Sequence, residues 1–371
     1  MSHEGDEKKE PGPPQPSASA GGRSSSAHSF PPVGTGTPPG ATSPGGGGLW
    51  RTRNQRHVPV MVAEIVDLLS PVPAGTVVDA TVGDGGHAEA ILDAYPHLHV
   101  LGLDRDPTAV EAAEATLARF VDRAHVRQAR FDSLSDAVAG LATPVVATLF
   151  DLGVRSAHFD EGARGFSYSH DAPLDMRMDP AQVTTAADVV NGWDEADLAR
   201  MLAVHGEGRF ARRLAHAIVQ ARPLTTTTQL STVISQAIPA AARRREGHPA
   251  RRVFQAVRVA VNEELDVLQP ALEQAIDVVV PAGRILVLAY HSGEDRIVKS
   301  VFTNAVTGGC TCPPRLPCRC GAVPKARFVF RGARRPAPSE VERNRRASSA
   351  RLRVVERVTA GNHGVRTEGS R

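Results

Sequence analysis

Glycines and acidic residues lie close together in the segment Val77–Leu92, which reads VVDATVGDGGHAEAIL. Gly83, Gly85 and Ala88 have the spacing G-x-G-x-x-G/A, which lets the backbone turn sharply and brings its N–H groups close to a ligand. Asp104 follows about 20 residues later, where a carboxylate can accept hydrogen bonds from both hydroxyls of a ribose. The spacing therefore predicts a nucleotide-binding turn; a tight turn beside a surface aspartate is the alternative.

Two features of this turn disfavour a nicotinamide dinucleotide. A predicted helix precedes the first strand, and the segment GDGGH places glycine and His87 where dinucleotide domains usually have apolar residues. Adenosine with a short charged tail fits better, so S-adenosylmethionine is the expected cofactor. Asp79, at the end of the first strand, either faces the cofactor's ammonium group or is a buried structural aspartate.

A second acidic residue, Asp151, ends the strand-like segment PVVATLFDLG. At the ligand-binding edge of a sheet, it can accept a hydrogen bond from an exocyclic amine and orient the lone pair of that amine. The tetrapeptide Asn/Asp-Pro-Pro-aromatic, frequent here in amino-methyltransferases, is missing from the sequence. Asp151 is therefore a candidate catalytic residue, with a helix cap or loop anchor as the alternative.

Alternating strand and helix patterns must position these residues. The strand-like segments are TVVDATV, HVLGLD, HVRQARF and PVVATLFDLG, and the helical segments are HAEAILDAY and PTAVEAAEATLARF. This alternation predicts a parallel sheet covered by helices, and such sheets bind ligands at the carboxyl ends of their strands. A helix within VPVMVAEIVDLLS is expected before the first strand.

The alternation stops after Val154, and amphipathic helical stretches follow at EADLARMLAVH, RFARRLAHAIVQAR and TTQLSTVISQAI. The alternation then resumes with one helix, FQAVRVAVNEELDVLQPALEQAIDVVV, and one strand, GRILVLAYHS. The sequence therefore predicts an α/β fold interrupted by a mostly helical insertion. The expected division is a Gly/Pro/Ser-rich disordered tail (1–50), a sheet domain in two parts (51–157 and 250–357), a helical substrate-recognition insertion (158–249) and a second tail (358–371).

Composition limits the class of protein. The 371 residues are 41% hydrophobic and 22% charged, as in globular proteins. The sequence has no apolar run of membrane-spanning length and no apolar signal-peptide core, so we expect a cytoplasmic protein without a membrane partner. Net charge is only +3, but arginine is dense in AARRREGHPARRVF and from Arg315 to Arg357. These stretches suit a phosphate backbone or form solvated faces.

All four cysteines lie in one segment, CTCPPRLPCRC, at Cys310, Cys312, Cys318 and Cys320. Four thiolates can hold a structural zinc ion, although C-x-C is tighter than the common C-x₂₋₄-C spacing. Disulfides are disfavoured in a reducing cytoplasm. We expect a loop of free thiols, with bound zinc as the alternative.

Seven segments, in order, carry a resemblance to a known family. They are HVPVM, DATVGDGGH, LDRDP, DLGV, RGFSYSHDAPLDMRMD, HPARRVFQAVRVAVNEEL and GRILVLAYHSGEDRIVK. From about Arg56 to Arg357 the chain resembles the bacterial 16S ribosomal RNA (cytosine-N4)-methyltransferases of the small-subunit methyltransferase H type. The resemblance implies a class I Rossmann-like methyltransferase with a parallel-rich, doubly wound sheet. It also implies methylation, with S-adenosylmethionine, of the N4 amine of a decoding-centre (P-site) cytosine in the small subunit, with 16S ribosomal RNA and not DNA as partner.

The resemblance further implies roles for individual residues. The implied cofactor contacts are Gly85, Gly86 and His87, with Asp104 at the ribose, Phe131 beside the adenine, Asp151 at the reactive end and His158 where the family has glutamine. The family's DLGVSS reads DLGVRS here, with Arg155 for a serine, and its FHSLEDR reads YHSGEDR. Tyr290 and Gly293 therefore replace the usual Phe and Leu.

Further polar and aromatic residues are candidates for substrate contact. Arg164, Phe166 and Tyr168 combine positive charge with aromatic surface, which suits an unpaired base and its phosphate. Such a base must leave its stack to reach the cofactor. His291, after the last predicted strand, could transfer a proton, contact RNA or serve structure.

Other charged residues are expected to be structural. The expected pairings are Asp295 with Arg296 and an internal network of Asp175, Arg177 and Asp179. Three rival functions remain: a methyltransferase for DNA or protein, an NAD(P)-dependent oxidoreductase matching the literal glycine spacing, and an RNA-binding protein without catalysis. Methyl incorporation into ribosomal RNA would separate them.

Overall fold

A computed structural model describes residues 58–155, 162–205, 208–240, 248, 250–313 and 319–359. The predicted tail 1–50, His158 and Cys318 lie outside the described residues. Within them is a seven-stranded sheet. Its strands are β1 (Gly75–Asp79), β2 (Leu98–Asp104), β3 (Ala124–Gln128), β4 (Val145–Asp151), β5 (Arg284–Ala289), β6 (Ala326–Phe328) and β7 (Arg351–Arg357).

The strand order is β3-β2-β1-β4-β5-β7-β6, and β1 to β5 pair in parallel. The order reverses between β1 and β4, so the loops after these two strands diverge and leave a crevice at their carboxyl ends. All five residues of β1 are buried, as expected for a strand covered on both faces. β7 runs antiparallel to β5 and β6, and the sequence analysis identified neither β6 nor β7.

Helices cover both faces of the sheet, which confirms the predicted α/β fold. One face packs on helices α1, α2 and α3, and the other packs on α10 and α11. The helices are α1 (Val62–Leu69), α2 (Gly86–Ala94), α3 (Pro107–Leu117), α4 (Leu134–Val138), α5 (Ala186–Gly192), α6 (Glu195–His205), α7 (Ala211–Gln220), α8 (Thr227–Ala237), α9 (Ala250–Val261), α10 (Leu268–Val278), α11 (Ser292–Thr307) and α12 (Pro338–Arg343). In the described part of the chain, none of them is both long and apolar enough to cross a membrane.

The single helix predicted from Phe254 to Val280 is wrong, because the structure contains two helices, α9 and α10. Glu263, between them, has a φ of 52°, which a helix does not accommodate. The buried Asn262 side chain accepts a hydrogen bond from Met178 N (2.9 Å) and donates to Met176 O (2.8 Å). These distant partners hold the chain at the break, and the local apolar pattern gave no sign of them.

Helices α5 to α8, between β4 and β5 in the sequence, share a hydrophobic cluster. The apolar faces of α6, α7 and α8 pack on one another, as their helical periodicity predicts. The cluster also contains residues of α9 up to Val261, beyond the predicted insertion boundary at residue 249. Thr185 and Thr226 begin α5 and α8 with capping boxes, which satisfy otherwise unpaired N–H groups.

Candidate active site

A cavity of about 500 Å³ lies at the carboxyl edge of the sheet, where the strand order reverses. Segments that follow four strands line it: Thr81 to Asp84 after β1, Asp104 and Arg105 at the end of β2, Asp151 to Arg155 after β4, and Tyr290 and His291 after β5. This volume is in the ordinary range for small-molecule sites. The structure therefore brings Asp104 and Asp151, predicted from separate strand ends, to one cavity.

The glycine turn between β1 and α2 forms one wall of this cavity. Gly83 and Gly85 have φ values of 54° and 82°, which glycine adopts without the strain of a side chain. Gly85 is the N-cap of α2, and Gly86 packs so closely that an added Cβ would lie 2.5 Å from Pro59 Cγ. Gly83, Gly86 and His87 line the cavity, whereas Gly85 lies outside its lining residues and turns the chain.

Asp104 is held against the glycine turn by backbone hydrogen bonds. Its Oδ2 accepts from Gly83 N (3.1 Å) and its Oδ1 accepts from Asp106 N (3.0 Å). Burial raises the pKa of Asp104, and these two hydrogen bonds act in the opposite direction. Each carboxylate oxygen keeps a second lone-pair site, so the group can still accept hydrogen bonds from a ligand. Phe131 also lines the cavity and packs edge-to-face on Phe150, with 6.0 Å between the ring centroids.

Asp151 is fixed by groups from three other segments. Its backbone N donates to Thr81 Oγ1 (2.7 Å), and its Oδ1 accepts a hydrogen bond of 2.6 Å from the hydroxyl of Tyr290. His87 Nδ1 lies 3.7 Å from Asp151 Oδ2, while His87 Nε2 donates to Val60 O (2.9 Å). Burial and the Asp151 charge raise the pKa of Tyr290 far above its usual value, so the phenol keeps its proton and remains a donor.

Replacing Tyr290 by Phe is expected to lower the rate of the reaction at this site by roughly three- to tenfold. The change removes one hydrogen bond to a carboxylate but preserves the ring, so Asp151 loses its fixed orientation. We expect kcat to fall and KM to stay within about twofold, because the variant keeps the aromatic ring that lines the cavity. Steady-state kinetics of Tyr290→Phe, with a thermal melt as control, checks this; unchanged kcat would contradict it.

Asp79 is a buried acid directly behind the cavity. Its Oδ1 accepts a hydrogen bond of 3.3 Å from Thr81 N, whereas its Oδ2 has no hydrogen-bond partner among the described residues. Burial raises the pKa of Asp79 to about 7, and the neighbouring His87 opposes the shift. Asp79 is not among the residues that line the cavity.

The raised pKa of Asp79 predicts a pH-dependent stability. In the unfolded chain the carboxyl loses its proton near pH 4, but in the folded chain it does so near pH 7. The stability that the protonated Asp79 side chain contributes is therefore complete below pH 4. It is lost as the pH rises from 4 to 7, because the unfolded chain loses this proton before the folded chain does. We therefore compare the unfolding free energy of Asp79→Asn with that of the native chain. This difference should increase in favour of the variant by about 2–3 kcal/mol from pH 5 to pH 8. Urea unfolding at both pH values tests this, and a difference independent of pH would refute it.

His291 caps helix α11. Its Nδ1 accepts hydrogen bonds from Gly293 N (3.1 Å) and Glu294 N (3.4 Å), and the Glu294 carboxylate accepts from Tyr290 N and His291 N. His291 Nε2 lies 3.1 Å from Glu294 Oε1. His291 lines the cavity; its Nδ1 serves the helix cap, whereas its Nε2 makes no hydrogen bond among the described residues. The geometry favours the structural alternative for this histidine.

The predicted pairing of Asp295 with Arg296 is wrong. Asp295 instead accepts hydrogen bonds from Arg351 (2.9 Å) and Arg353 (2.7 Å), which ties α11 to β7 and holds the pKa of this carboxyl below its usual range. Asp175 and Arg177 do pair, at 2.7 Å, as the sequence analysis expected.

The other three candidate substrate residues, Arg164, Phe166 and Tyr168, occupy different environments. Arg164 donates a hydrogen bond of 2.6 Å to the fully buried Asp106, and it also donates to Met178 O (2.7 Å). Phe166 lines the cavity, but it is buried in the hydrophobic cluster of the helical segment. Tyr168 is half-buried and lines the cavity, and its ring stacks on His248 at a centroid distance of 4.6 Å. Tyr168 thus has both the position and the aromatic face for contact with a base.

Sequence reasoning missed two residues that organise the site. Tyr290 was noted as a replacement but given no role, although its position directly after β5 placed it at the cavity edge. Asp106 was missed altogether, although an aspartate before Pro107 is a common helix start. It is the N-cap of α3, accepting from Thr108 N (3.0 Å), and its Oδ2 lies 3.6 Å from Arg155.

Comparison of the sequence with known proteins shows which family the chain belongs to. The chain is 47% identical over 319 residues to a ribosomal RNA small subunit methyltransferase H of Mycobacterium marinum, covering 81% of this chain and 80% of that protein. It is 48% identical over 311 residues to the protein of the same name from Symbiobacterium thermophilum, covering 82% and 98%. Residues 54–358 match the MraW methylase family. The oxidoreductase alternative is thereby set aside, and the chain belongs to the MraW methylase family, a family of methyltransferases.

Proposed function

We propose that this chain transfers a methyl group from S-adenosylmethionine to the exocyclic N4 amine of a decoding-centre (P-site) cytosine in 16S ribosomal RNA. Family membership supports methyl transfer, and the relatives' names support a small-subunit ribosomal RNA substrate. The observation that carries the proposal is that Asp104 and Asp151 line one cavity at the strand-order reversal. We assign Asp104 to the ribose of the cofactor and Asp151 to the amine of the substrate.

The cavity's side chains fit an adenosine cofactor with a charged tail. The Asp104 carboxylate can accept hydrogen bonds from two ribose hydroxyls, and the Phe131 ring offers an apolar face for an adenine. Gly85, Gly86 and His87 are proposed to shape and contact the cofactor site, and His158 remains a proposed contact from the resemblance. When bound, the cofactor would supply an electrophilic methyl group on a sulfonium centre.

Asp151 is proposed as the residue that prepares the amine. The lone pair of a cytosine amine is delocalised into the ring, which makes this nitrogen a poor nucleophile. By accepting an N–H hydrogen bond, the Asp151 carboxylate can hold the nitrogen and favour a pyramidal geometry. The hydroxyl of Tyr290 keeps that carboxylate oriented.

The helical segment 158–249 is proposed to recognise RNA. Tyr168 of this segment and the exposed Arg251, just after it, line the cavity, and the exposed face of α7 carries Arg212 and Arg213. Aromatic and arginine side chains together suit a base turned out of its stack and the adjoining phosphates. The proposed partner is the small ribosomal subunit, which places the enzyme in the cytoplasm.

Replacing Arg251 by Ala is expected to weaken RNA binding by about three- to tenfold. It should also reduce the slope of affinity against salt by about one, since one phosphate contact is lost. Cofactor affinity should not change. Filter binding of 16S RNA at several salt concentrations measures the effect. Arg327→Ala on β6, with a side chain 68% exposed, is the matched control for charge alone. Equal losses in both variants would contradict a specific contact.

The decisive experiment is transfer of labelled methyl from S-adenosylmethionine to small subunits from cells that lack this methylation. Nucleoside analysis should reveal labelled N4-methylcytidine, and Asp104→Asn should abolish the label. Parallel reactions with free 16S RNA, DNA and protein define the substrate. No label in any nucleoside despite measured cofactor binding would overturn the proposed substrate. RNA binding without any methyl transfer would instead support the non-catalytic alternative.

A further inference from the structure

Three cysteines come together in the loop between α11 and β6. The Sγ atoms of Cys310, Cys312 and Cys320 all lie within 4.8 Å of one another. Cys310 and Cys312 are half-buried and Cys320 is exposed, so solvent ions can reach the cluster. Cys318, the fourth cysteine of the sequence, lies outside the described residues, and the inference rests on the other three.

Contacts at both ends of the loop bring these cysteines together. Gly308 ends α11 with a φ of 66°, and an added Cβ there would lie 2.5 Å from the backbone of Val323. Lys325 N donates a hydrogen bond of 2.8 Å to Ala305 O in the last turn of the same helix. The loop therefore leaves and returns at the carboxyl end of α11.

The sulfur geometry is close to that of a tetrahedral thiolate site. A zinc ion holds thiolates at about 2.3 Å, which places neighbouring sulfurs about 3.8 Å apart. Sulfurs within 4.8 Å reach this arrangement by small side-chain rotations. Arg319 N also donates a hydrogen bond of 3.4 Å to Cys312 Sγ. N–H donors to sulfur commonly surround thiolate ligands and favour their charged form.

The position of the cluster separates it from methyl transfer. Helix α11 begins beside the cavity at Ser292 and ends at Thr307, so its 16 residues span about 24 Å. The cysteines lie past its far end, and none of them lines the cavity. The sequence between Thr307 and Ala326 is rich in Gly, Pro and Cys and has few large apolar residues, so it cannot build a core of its own.

We propose that Cys310, Cys312 and Cys320 bind a structural Zn²⁺ ion that fixes this loop. Thiolates are soft ligands that select zinc among the common cellular divalent cations. Three protein thiolates leave one tetrahedral position for water or a further side chain. The ion stabilises the loop in place of a hydrophobic core, and it fixes the path of the chain between α11 and β6.

Metal analysis of the full chain, expressed with added zinc and purified without chelator, tests the proposal. The expected result is about one zinc ion per chain, falling at least about tenfold in Cys312→Ser. Replacing zinc with Co²⁺ should produce the absorption of cobalt–thiolate charge transfer, and Cys312→Ser should weaken it. Thr311→Ser, between two of the ligands, is the matched control and should retain the metal.

Stability gives a second readout that does not depend on catalysis. Removing zinc with a chelator should lower the melting temperature of the native chain and leave that of Cys312→Ser unchanged. Reduced protein that takes up neither zinc nor cobalt would overturn the proposal. So would a disulfide between two of these cysteines, detected by mass spectrometry under non-reducing conditions in freshly purified protein. Circular dichroism shows whether each variant is folded.

Discussion

Asp151→Ala is expected to lower the rate of methyl transfer by about 10²- to 10³-fold. The carboxylate stands at the end of β4 with Tyr290 and His87 directed at it, and loss of a positioned polar group in an active site typically has an effect of this size. Single-turnover measurements with saturating cofactor and unmethylated small subunits isolate this step. Full activity in the variant would eliminate Asp151 as the residue that prepares the amine.

Two controls separate this chemical role from damage to the site. Asp151→Asn retains an acceptor oxygen but loses the charge, so it should lie between the native chain and Asp151→Ala in rate. Cofactor affinity, measured by calorimetry, should change much less than the rate in both variants. A loss of cofactor affinity as large as the loss of rate would instead assign Asp151 to binding.

Asp106→Ala is expected to lower the free energy of unfolding by about 3–5 kcal/mol. Asp106 is fully buried with Arg164 at 2.6 Å, so its removal takes away the carboxylate that faces this partly buried guanidinium, whereas Arg155 keeps Asp84 at 2.8 Å. The same change removes the side-chain cap of α3, which contributes about 1 kcal/mol. Urea unfolding monitored by circular dichroism measures the total.

Matched variants divide this effect into its parts. Asp106→Asn keeps the hydrogen bond to Thr108 N that caps α3 but loses the negative charge. Its unfolding free energy should therefore exceed that of Asp106→Ala by the capping contribution alone. Asp197→Ala breaks an exposed pair with Arg200, whose side chain is 72% exposed, and should lower the unfolding free energy by less than about 1 kcal/mol. Equal effects of Asp106→Ala and Asp197→Ala would contradict the importance of burial.

The sequence-based prediction succeeded where the structure depends on local sequence pattern. Strands β1, β2, β4 and β5 follow from runs of apolar residues bounded by turns, and parallel strands present their carboxyl ends at one edge. Asp104 and Asp151 could therefore be assigned to a common site before any distance was known. The conformations of Gly83 and Gly85 were predictable for the same reason, since a strand must turn into a helix within a few residues.

The sequence-based prediction failed where the partner of a residue is distant along the chain. Tyr290 and Asp151 are 139 residues apart, and no local rule pairs them. Asp295 was assigned to its neighbour, whereas its partners Arg351 and Arg353 lie on a strand that was not identified. Arg164 was assigned to RNA because an arginine beside aromatic residues suits a phosphate, yet it donates to the buried Asp106. Such pairings are set by the packing of whole elements.

The place of β7 in the sheet has a consequence for the chain during its own translation. β7 lies between β5 and β6, and Met61 N near the start of the fold donates to Glu340, 279 residues later. After β5 has been synthesised, the ribosome must add about 70 more residues before β7 is complete, which takes about 3–14 s. Throughout this interval the edge of β5 presents unpaired N–H and C=O groups to any other strand. Each newly made molecule therefore passes through several seconds in which this edge of the sheet is open to pairing with a strand of another chain.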